Sequence, residues 1–423
     1  MRYRILRGAG EIGGSCVEIT TKQTRLLVDI GMPLMNPDSS EFDFKHHQNK
    51  TVKQLIFEKI LPNISGIYES DNNLINGILI SHAHYDHFGF SQFLNPNLEY
   101  HLGKATHELI KITSLFTPNT DNINNVNYFS NEIPFTIGDI KITPYLVDHS
   151  AFDAYAFLIE AEGKTYFYSG DFRAHGRKAA LFNRLIANPP KVDVLFMEGT
   201  TLGSNGDHKN ISEIELQFHF EELFAQNKLS IVNTSSQNID RIITIYKACL
   251  HTKKTLVIDL YLAYILEKLN KENPNIPFPG NKWKNIRVKY TQRLANVIAE
   301  DNVKELYKFK SHKIELTELN DKPEQFVLIT RPFFYSYLQK HLPNWKNGNY
   351  IFSMWSGYKK AKNNVRFLEF LVKKRNFKST SIHTSGHADE DTLKRLVDAL
   401  KPKELVPIHT LVPEEYAEKF KLV

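Results

Sequence analysis

Residues 81 to 87 read SHAHYDH, which puts three histidines and one aspartate into seven positions. With 17 His and 19 Asp among 423 residues, chance gives the spacing HxHxDH in only about one such chain per thousand, so the pattern is a specific one. Imidazole and carboxylate clustered this tightly suit a divalent cation, Zn²⁺ first, with Mn²⁺ or Fe next. The preceding run GILIS is apolar and reads as a buried strand, so the cluster sits where a firmly held strand emerges into a loop. If the stretch is extended, alternation puts His82, His84 and Asp86 on one side while His87 turns elsewhere, and one segment then serves two ions.

Further ligands are expected at other strand ends. His149 follows the β-run IKITPYLVD, Asp171 follows YFYSG, and His409 closes the run ELVPIHT. A carboxylate can bridge two ions, and Asp171 is the candidate. Cys16 and Cys249 are the only cysteines, which excludes a disulfide framework and an all-cysteine metal site and fits a reducing compartment. The first residues carry no apolar leader segment and no run reaches the length of a membrane span, so a cytoplasmic protein without a membrane partner is expected. Gly8, Gly10 and Gly13 satisfy GxGxxG, but strand-like runs follow instead of a helix, so a turn near the active site is expected rather than a dinucleotide fingerprint.

A chain of 423 residues exceeds what one hydrophobic core organises, and the sequence changes style partway. The first 200 residues are rich in strand runs: CVEIT, RLLVDIG, GILIS, IKITPYLV, and YAFLIEA joined to KTYFYSGD by a hairpin at Glu162-Gly163-Lys164. From about 210 to 375 helical and strand runs alternate, with LSIVNTSS, TLVIDLY and FVLITR as strands, which reads as an α/β unit with a mostly parallel sheet. The tail reads as strand SIHTS, a helix Asp389 to Leu400 and strand ELVPIH, and is expected to rejoin the first domain. Charge is uneven as well. Residues 281 to 378 hold 21 Lys and Arg against 8 Asp and Glu, a local +13 in a chain of net +6, so the remainder sums to −7. An anionic partner for that region is the expectation.

Taken in order, HAHYDH, DHS, SGDF, MEGT, a long inserted segment, SGHA and PIHT resemble the metallo-β-lactamase superfamily, and within it the β-CASP ribonuclease family. The resemblance implies an α/β fold, a four-layer αββα sandwich interrupted by an α/β cap: residues 1–206 and 376–423 for the metallo-β-lactamase domain and 207–375 for the cap. It implies two Zn²⁺ per chain, with Mn²⁺ possible: one on His82, His84 and His149, a second on Asp86, His87 and His409, and Asp171 bridging. Asp86, Glu198 and His387 are the implied catalytic residues. Glu198 resembles the carboxylate that orients a histidine in this family, and His387 the histidine that contacts the scissile phosphate. Ser385 and Gly386 beside it are small enough to leave backbone N–H groups open to an anion, at a helix start. The implied function is metal-dependent hydrolysis of RNA phosphodiester bonds. A hydrolase of the same fold acting on DNA or on a small ester or thioester is the alternative.

RNA, single-stranded by preference, is the expected partner. Arg173, Arg177, Lys178 and the cap lysines are candidates to hold the strand, and Trp355, Phe333 and Phe334 to stack on bases. A homodimer is admissible. Two features depart from the family pattern. Thr410 stands where many relatives have glycine, and the sequence ends 14 residues after His409, so neither dimerisation through an added C-terminal domain nor processive 5′-to-3′ exonuclease action is expected.

Overall fold

The computed structural model describes the chain except residues 37–39, 41, 69–71, 73, 118–120, 204–209, 343–344 and 421–423. It divides into two compact units, Met1–Lys209 with Gly386–Val423, and Asn210–Ser385. The first unit is built on two six-stranded sheets. One runs in the order Arg2–Arg7, Cys16–Thr20, Arg25–Val28, Gly77–Leu79, Glu99–Leu102 and Asn125–Tyr128. The other runs Glu404–Ile408, Val194–Glu198, Lys164–Tyr168, Tyr155–Ala161, Ile140–Leu146 and Phe135–Ile137. Val17, Ile19, Leu26, Val28 and Leu79 of the first meet Ile142, Phe157, Ile159, Tyr168 and Phe196 of the second in one core. On the second sheet's other face, Phe167, Leu195 and Met197 pack with Phe182 and Leu185 of helix Ala179–Ala187 and with Leu393, Leu396, Val397 and Leu400 of helix Glu390–Leu400. Helix Lys104–Phe116 buries Leu109, Ile110 and Ile112 after the first sheet's strand Glu99–Leu102. This is the αββα sandwich.

The glycine-rich segment is a turn between antiparallel strands Arg2–Arg7 and Cys16–Thr20, and no helix follows it. Gly8, Gly10, Gly13 and Gly14 take φ of 99°, 80°, 81° and 67°, the region open to glycine. Ala9 and Glu11 both bridge to Thr410, so the turn lies against the loop that carries His409.

The second unit holds an all-parallel six-stranded sheet in the order Ile286–Lys289, Thr255–Asp259, Phe326–Ile329, Ser230–Asn233, Asn349–Phe352 and Lys378–Ser381. Three sequence expectations change here. The inserted unit runs to Ser385 rather than 375, because Lys378–Ser381 pairs with Asn349–Phe352 as the sheet's edge. Consequently SIHTS is not a strand of the first domain. TLVIDLY is a strand only to Asp259, whose side chain accepts from the Leu262 N–H and starts helix Leu260–Glu272. That helix has buried residues from Leu260 to Leu266 in unbroken succession, so it lacks the amphipathic period that would announce it.

Candidate metal centre

Every residue of the cage lies in the first unit, at or just beyond the C-terminal end of a strand. Asp29 follows Arg25–Val28, His82 to His87 follow Gly77–Leu79, and His149 follows Ile140–Leu146. Asp171 follows Lys164–Tyr168, Glu198 ends Val194–Glu198, and His409 follows Glu404–Ile408. The 81–87 stretch is not extended throughout. His84 leads a single helical turn, Tyr85–Phe88, closed by His87 N–H to His84 O at 2.9 Å and Gly89 N–H to Tyr85 O at 2.7 Å. The turn swings Asp86 and His87 toward one set of ligands, while His82 and His84 reach another. Gly31 permits this: a Cβ there would lie 1.7 Å from Asp86 O.

Candidate ligand atoms of His82, His84 and His149 lie within 4.8 Å of one another, and so do those of Asp86, His87, Asp171 and His409. His82 Nε2 is 3.1 Å and His149 Nε2 3.3 Å from His84 Nδ1. Asp171 Oδ2 lies 3.8 Å from His82 Nε2, 3.1 Å from His87 Nε2 and 3.8 Å from His409 Nε2, so one carboxylate touches both sets. Its Oδ1 is buried without a hydrogen-bond partner among the described residues.

Neighbouring groups fix the ring tautomers. His149 Nδ1 donates to Gly386 O at 2.7 Å, and His87 Nδ1 to Asp29 Oδ2 at 2.8 Å. Thr200 Oγ1 donates to Glu198 Oε2 at 2.7 Å and so accepts from His409 Nδ1, also at 2.7 Å. Each of these three rings therefore turns its Nε2 toward the cage. His409 Nε2 faces Asp86 Oδ2 at 3.1 Å, a repulsive approach unless a proton or a cation stands between them. With the unsatisfied Asp171 Oδ1, this donor set fits a divalent metal.

Electrostatics of the protein alone give the same picture. Burial drives His82 and His149 well below the usual imidazole range and His84 down to about 4, leaving lone pairs available at neutral pH. Burial also works against a charged His87, but Asp171, Asp29 and Asp86 prevail and hold it well above that range. Burial raises the Asp86 carboxyl, yet His87 and His409 outweigh it and bring it down to about 2.

Glu198, fully buried, accepts from Phe172 N–H at 2.9 Å through Oε1, while His387 Nδ1 lies 3.1 Å from its Oε2. Burial opposes charge on His387, and Glu198 and Asp171 override it, pushing the ring up to about 9. Gly386 spends its carbonyl on His149. Ser385 ends the other unit, and its N–H donates to Asn210 Oδ1 at 3.4 Å instead of standing open to an anion. Arg173 is another correction: it is fully buried and pairs with Asp148 at 3.4 Å. Lys178 Nζ donates to His149 O at 2.9 Å and Ala151 O at 3.2 Å, so both side chains support the His149 loop rather than line a channel. Arg177 is partly buried.

Two contributors escape sequence reading. Asp29 takes φ of 60° and receives the Ser81 N–H and hydroxyl, Tyr168 OH and His87 Nδ1 within 2.8 Å. An aspartate ending the apolar run RLLVD is the signal that was there to follow. Thr200 links Glu198 to His409 and looks in sequence like any residue after a strand.

A β-lactamase superfamily domain matches residues 63–216, and a Zn-dependent metallo-hydrolase RNA specificity domain matches residues 374–421. Ribonuclease J of Helicobacter pylori (strain B128) is 24% identical over 419 residues, covering 96% of this chain and 55% of that protein. An RNase J-like protein of Methanocaldococcus jannaschii is 28% identical over 206 residues, 46% of this chain and 41% of that protein. A crystal structure of a protein of unknown function from Enterococcus faecalis V583 superposes with a TM-score of 0.78 at 21% identity, covering 99% of this chain and 95% of the other. The fold, the cage and the two domain matches are similar to those of the metallo-β-lactamase superfamily. The chain is similar to ribonuclease J and spans about half the length, 55%, of the Helicobacter relatives it matches.

Proposed function

We propose that the chain is a metal-dependent ribonuclease that hydrolyses phosphodiester bonds, with single-stranded RNA as substrate and two zinc ions, or manganese, as cofactor. The observation that carries this is the sharing of Asp171 between two ligand sets beside His387, in a chain that matches an RNA specificity domain. His82, His84 and His149 would hold one ion, Asp86, His87 and His409 the other, and Asp171 both. When bound, such a pair of divalent ions acidifies water and offsets negative charge developing at phosphorus. Glu198 fixes His387 through Nδ1, so the ring passes a proton from Nε2 to the leaving oxygen. Thr200 and Asp29 keep His409 and His87 turned toward the cage.

Preference for a single strand is supported by the basic second unit and by Trp355 and Phe333, which are 56% and 45% exposed and offer faces to unstacked bases. Phe334, 3% exposed, belongs to the core. The test is to incubate the purified chain with end-labelled RNA, single- and double-stranded DNA and a chromogenic lactam, each with and without chelator. RNA is expected to be cut, with activity lost to chelator and restored by zinc or manganese. Hydrolysis of DNA or the lactam with RNA left intact overturns the reading.

A further inference from the structure

The C-terminal edge of the second unit's parallel sheet carries polar groups with no place in the chemistry above. Asp259 pairs in register with Lys289, and Val257 with Leu328, which sets Asp259 level with Thr330. Val232 pairs with Ile329, which sets Asn233 level with Thr330. Lys289, Asp259, Thr330 and Asn233 therefore form one row across four neighbouring strands, on one face of the sheet. Each is at most 3% exposed. Lys289 Nζ, Thr330 Oγ1 and Asn233 Oδ1 have no hydrogen-bond partner among the described residues, and neither has Thr291 Oγ1 two residues beyond Lys289. Burying a polar group without a partner is costly, so such groups are rarely left together without a ligand to serve.

Topology marks the same place. The connection leaving Thr255–Asp259 leads to the edge strand Ile286–Lys289, whereas the one leaving Phe326–Ile329 leads past Ser230–Asn233 to Asn349–Phe352. The two diverge, and the rule for open parallel sheets puts a ligand crevice outside the strand ends at such a point, between Asp259 and Thr330. Arg331 stands there, its side chain 22% exposed, bonded to Asp259 Oδ2 at 2.5 Å. Its guanidinium lies 5.1 Å from the Tyr261 ring and 5.0 Å from that of Phe333, and Arg293 lies 5.3 Å from Phe333 on its own account. Lys289 Nζ rests 4.1 Å from the Phe334 ring centroid, a weak substitute for an acceptor.

We propose that this crevice binds a phosphate group, carried by a mononucleotide or by an RNA strand, on Lys289, Thr330 and Arg331, with the base against Phe333. Asp259 is already engaged by Arg331 and by the Leu262 N–H, so it positions the guanidinium rather than repelling the anion. An anion at Nζ would exchange the ring contact for charge-assisted hydrogen bonds. Burial also lowers the Lys289 amine to about 8, with Asp259 opposing and Arg331 adding to the effect, which makes it a ready partner for an aldehyde probe.

Pyridoxal phosphate followed by borohydride, read by peptide mapping of the full chain, tests this lysine by lysine, so phosphate held at the metal cage does not confuse the result. Lys289 should be labelled, and millimolar inorganic phosphate, a mononucleotide or an oligoribonucleotide should protect it while the exposed Lys53 and Lys191 of the first unit stay labelled. The most protective of the three identifies the source of the phosphate. No label on Lys289 under conditions that label Lys359, or equal protection by unphosphorylated adenosine, overturns the proposal. Lys289→Met and Thr330→Val should each weaken mononucleotide binding by about tenfold or more, the scale of a lost charge-assisted bond. If Lys289→Met only raises the melting temperature and leaves binding intact, the amine is a buried charge and nothing more. These outcomes do not depend on whether the cage cleaves RNA.

Discussion

At the scale of single residues, the cage separates groups that would hold metal from groups that act beside it, and substitution should tell them apart. His387 touches Glu198 at 3.1 Å and Asp171 at 3.7 Å, and its side chain is 21% exposed, against 1% or less for His82, His87 and His409. His387→Ala should keep metal content and hold RNA affinity within a few fold while lowering the single-turnover cleavage rate by about 10² to 10⁴. Loss of one metal equivalent would instead make His387 a ligand and reopen the place of His409. Asp29→Asn keeps the shape but removes the anion that fixes His87. Zinc titration against a competing chelator should show affinity of one site falling by about 10- to 100-fold, the effect of losing a carboxylate behind a ligating imidazole. Both sites weakening equally would mean that Asp29 supports the fold rather than His87.

Among the elements, the helical turn Tyr85–Phe88 depends on a backbone approach that leaves no room for a side chain. Ile30 N–H donates to His87 O at 2.9 Å and Met32 N–H to Tyr85 O at 3.0 Å, which brackets Gly31 against Asp86. A methyl group at Gly31 must push strand end and turn apart. Gly31→Ala is therefore expected to lower the melting temperature and to deplete the site served by Asp86 and His87 before the one served by His82, His84 and His149. Melting and metal content unchanged from the parent would refute this account of the glycine. The same turn shows why the elements were only partly legible in sequence. HAHYDH announces metal chemistry by composition, but whether it is strand or helix depends on Ile30 and Met32 donating to the His87 and Tyr85 carbonyls, a tertiary outcome that alternation misjudged. Strands such as Cys16–Thr20 and Tyr155–Ala161 were readable because β-branched and aromatic residues fill them between turn residues. Lys378–Ser381, reading KSTS, lacks that composition and is held by its neighbour alone. Asp29 and Thr200 went unseen for a related reason: each works through another residue's ring nitrogen, and no spacing in the chain records that.

For the whole molecule, charge divides where chemistry divides, with +13 on residues 281 to 378 and −7 on the rest. Acidic ligands gathered for metal would repel an RNA strand until cations are bound, so affinity has to come from the basic part. Phosphate contacts release counterions, and on single strands each contributes about 0.7 to the slope of log affinity against log salt. Not every lysine there should count equally. Lys373 is 2.8 Å from Glu369 and already partly neutralised, and Arg375 is only partly exposed and packs 5.2 Å from the Phe370 ring. Lys359, Lys360 and Lys362 are exposed beside Trp355 and Tyr358, whose rings meet edge to face at 5.5 Å. Replacing these three lysines by glutamine should flatten the salt slope for single-stranded RNA measurably, whereas replacing Lys373 and Arg375 should change it less. Trp355→Ala should weaken binding by about 1–3 kcal/mol with the slope preserved, because stacking carries no counterions. Filter binding at four or five salt concentrations decides it: parental slopes in the triple variant would reduce the basic segment to a solvated face, and a slope altered by Trp355→Ala would show that the aromatic side chain only organises the charges around it.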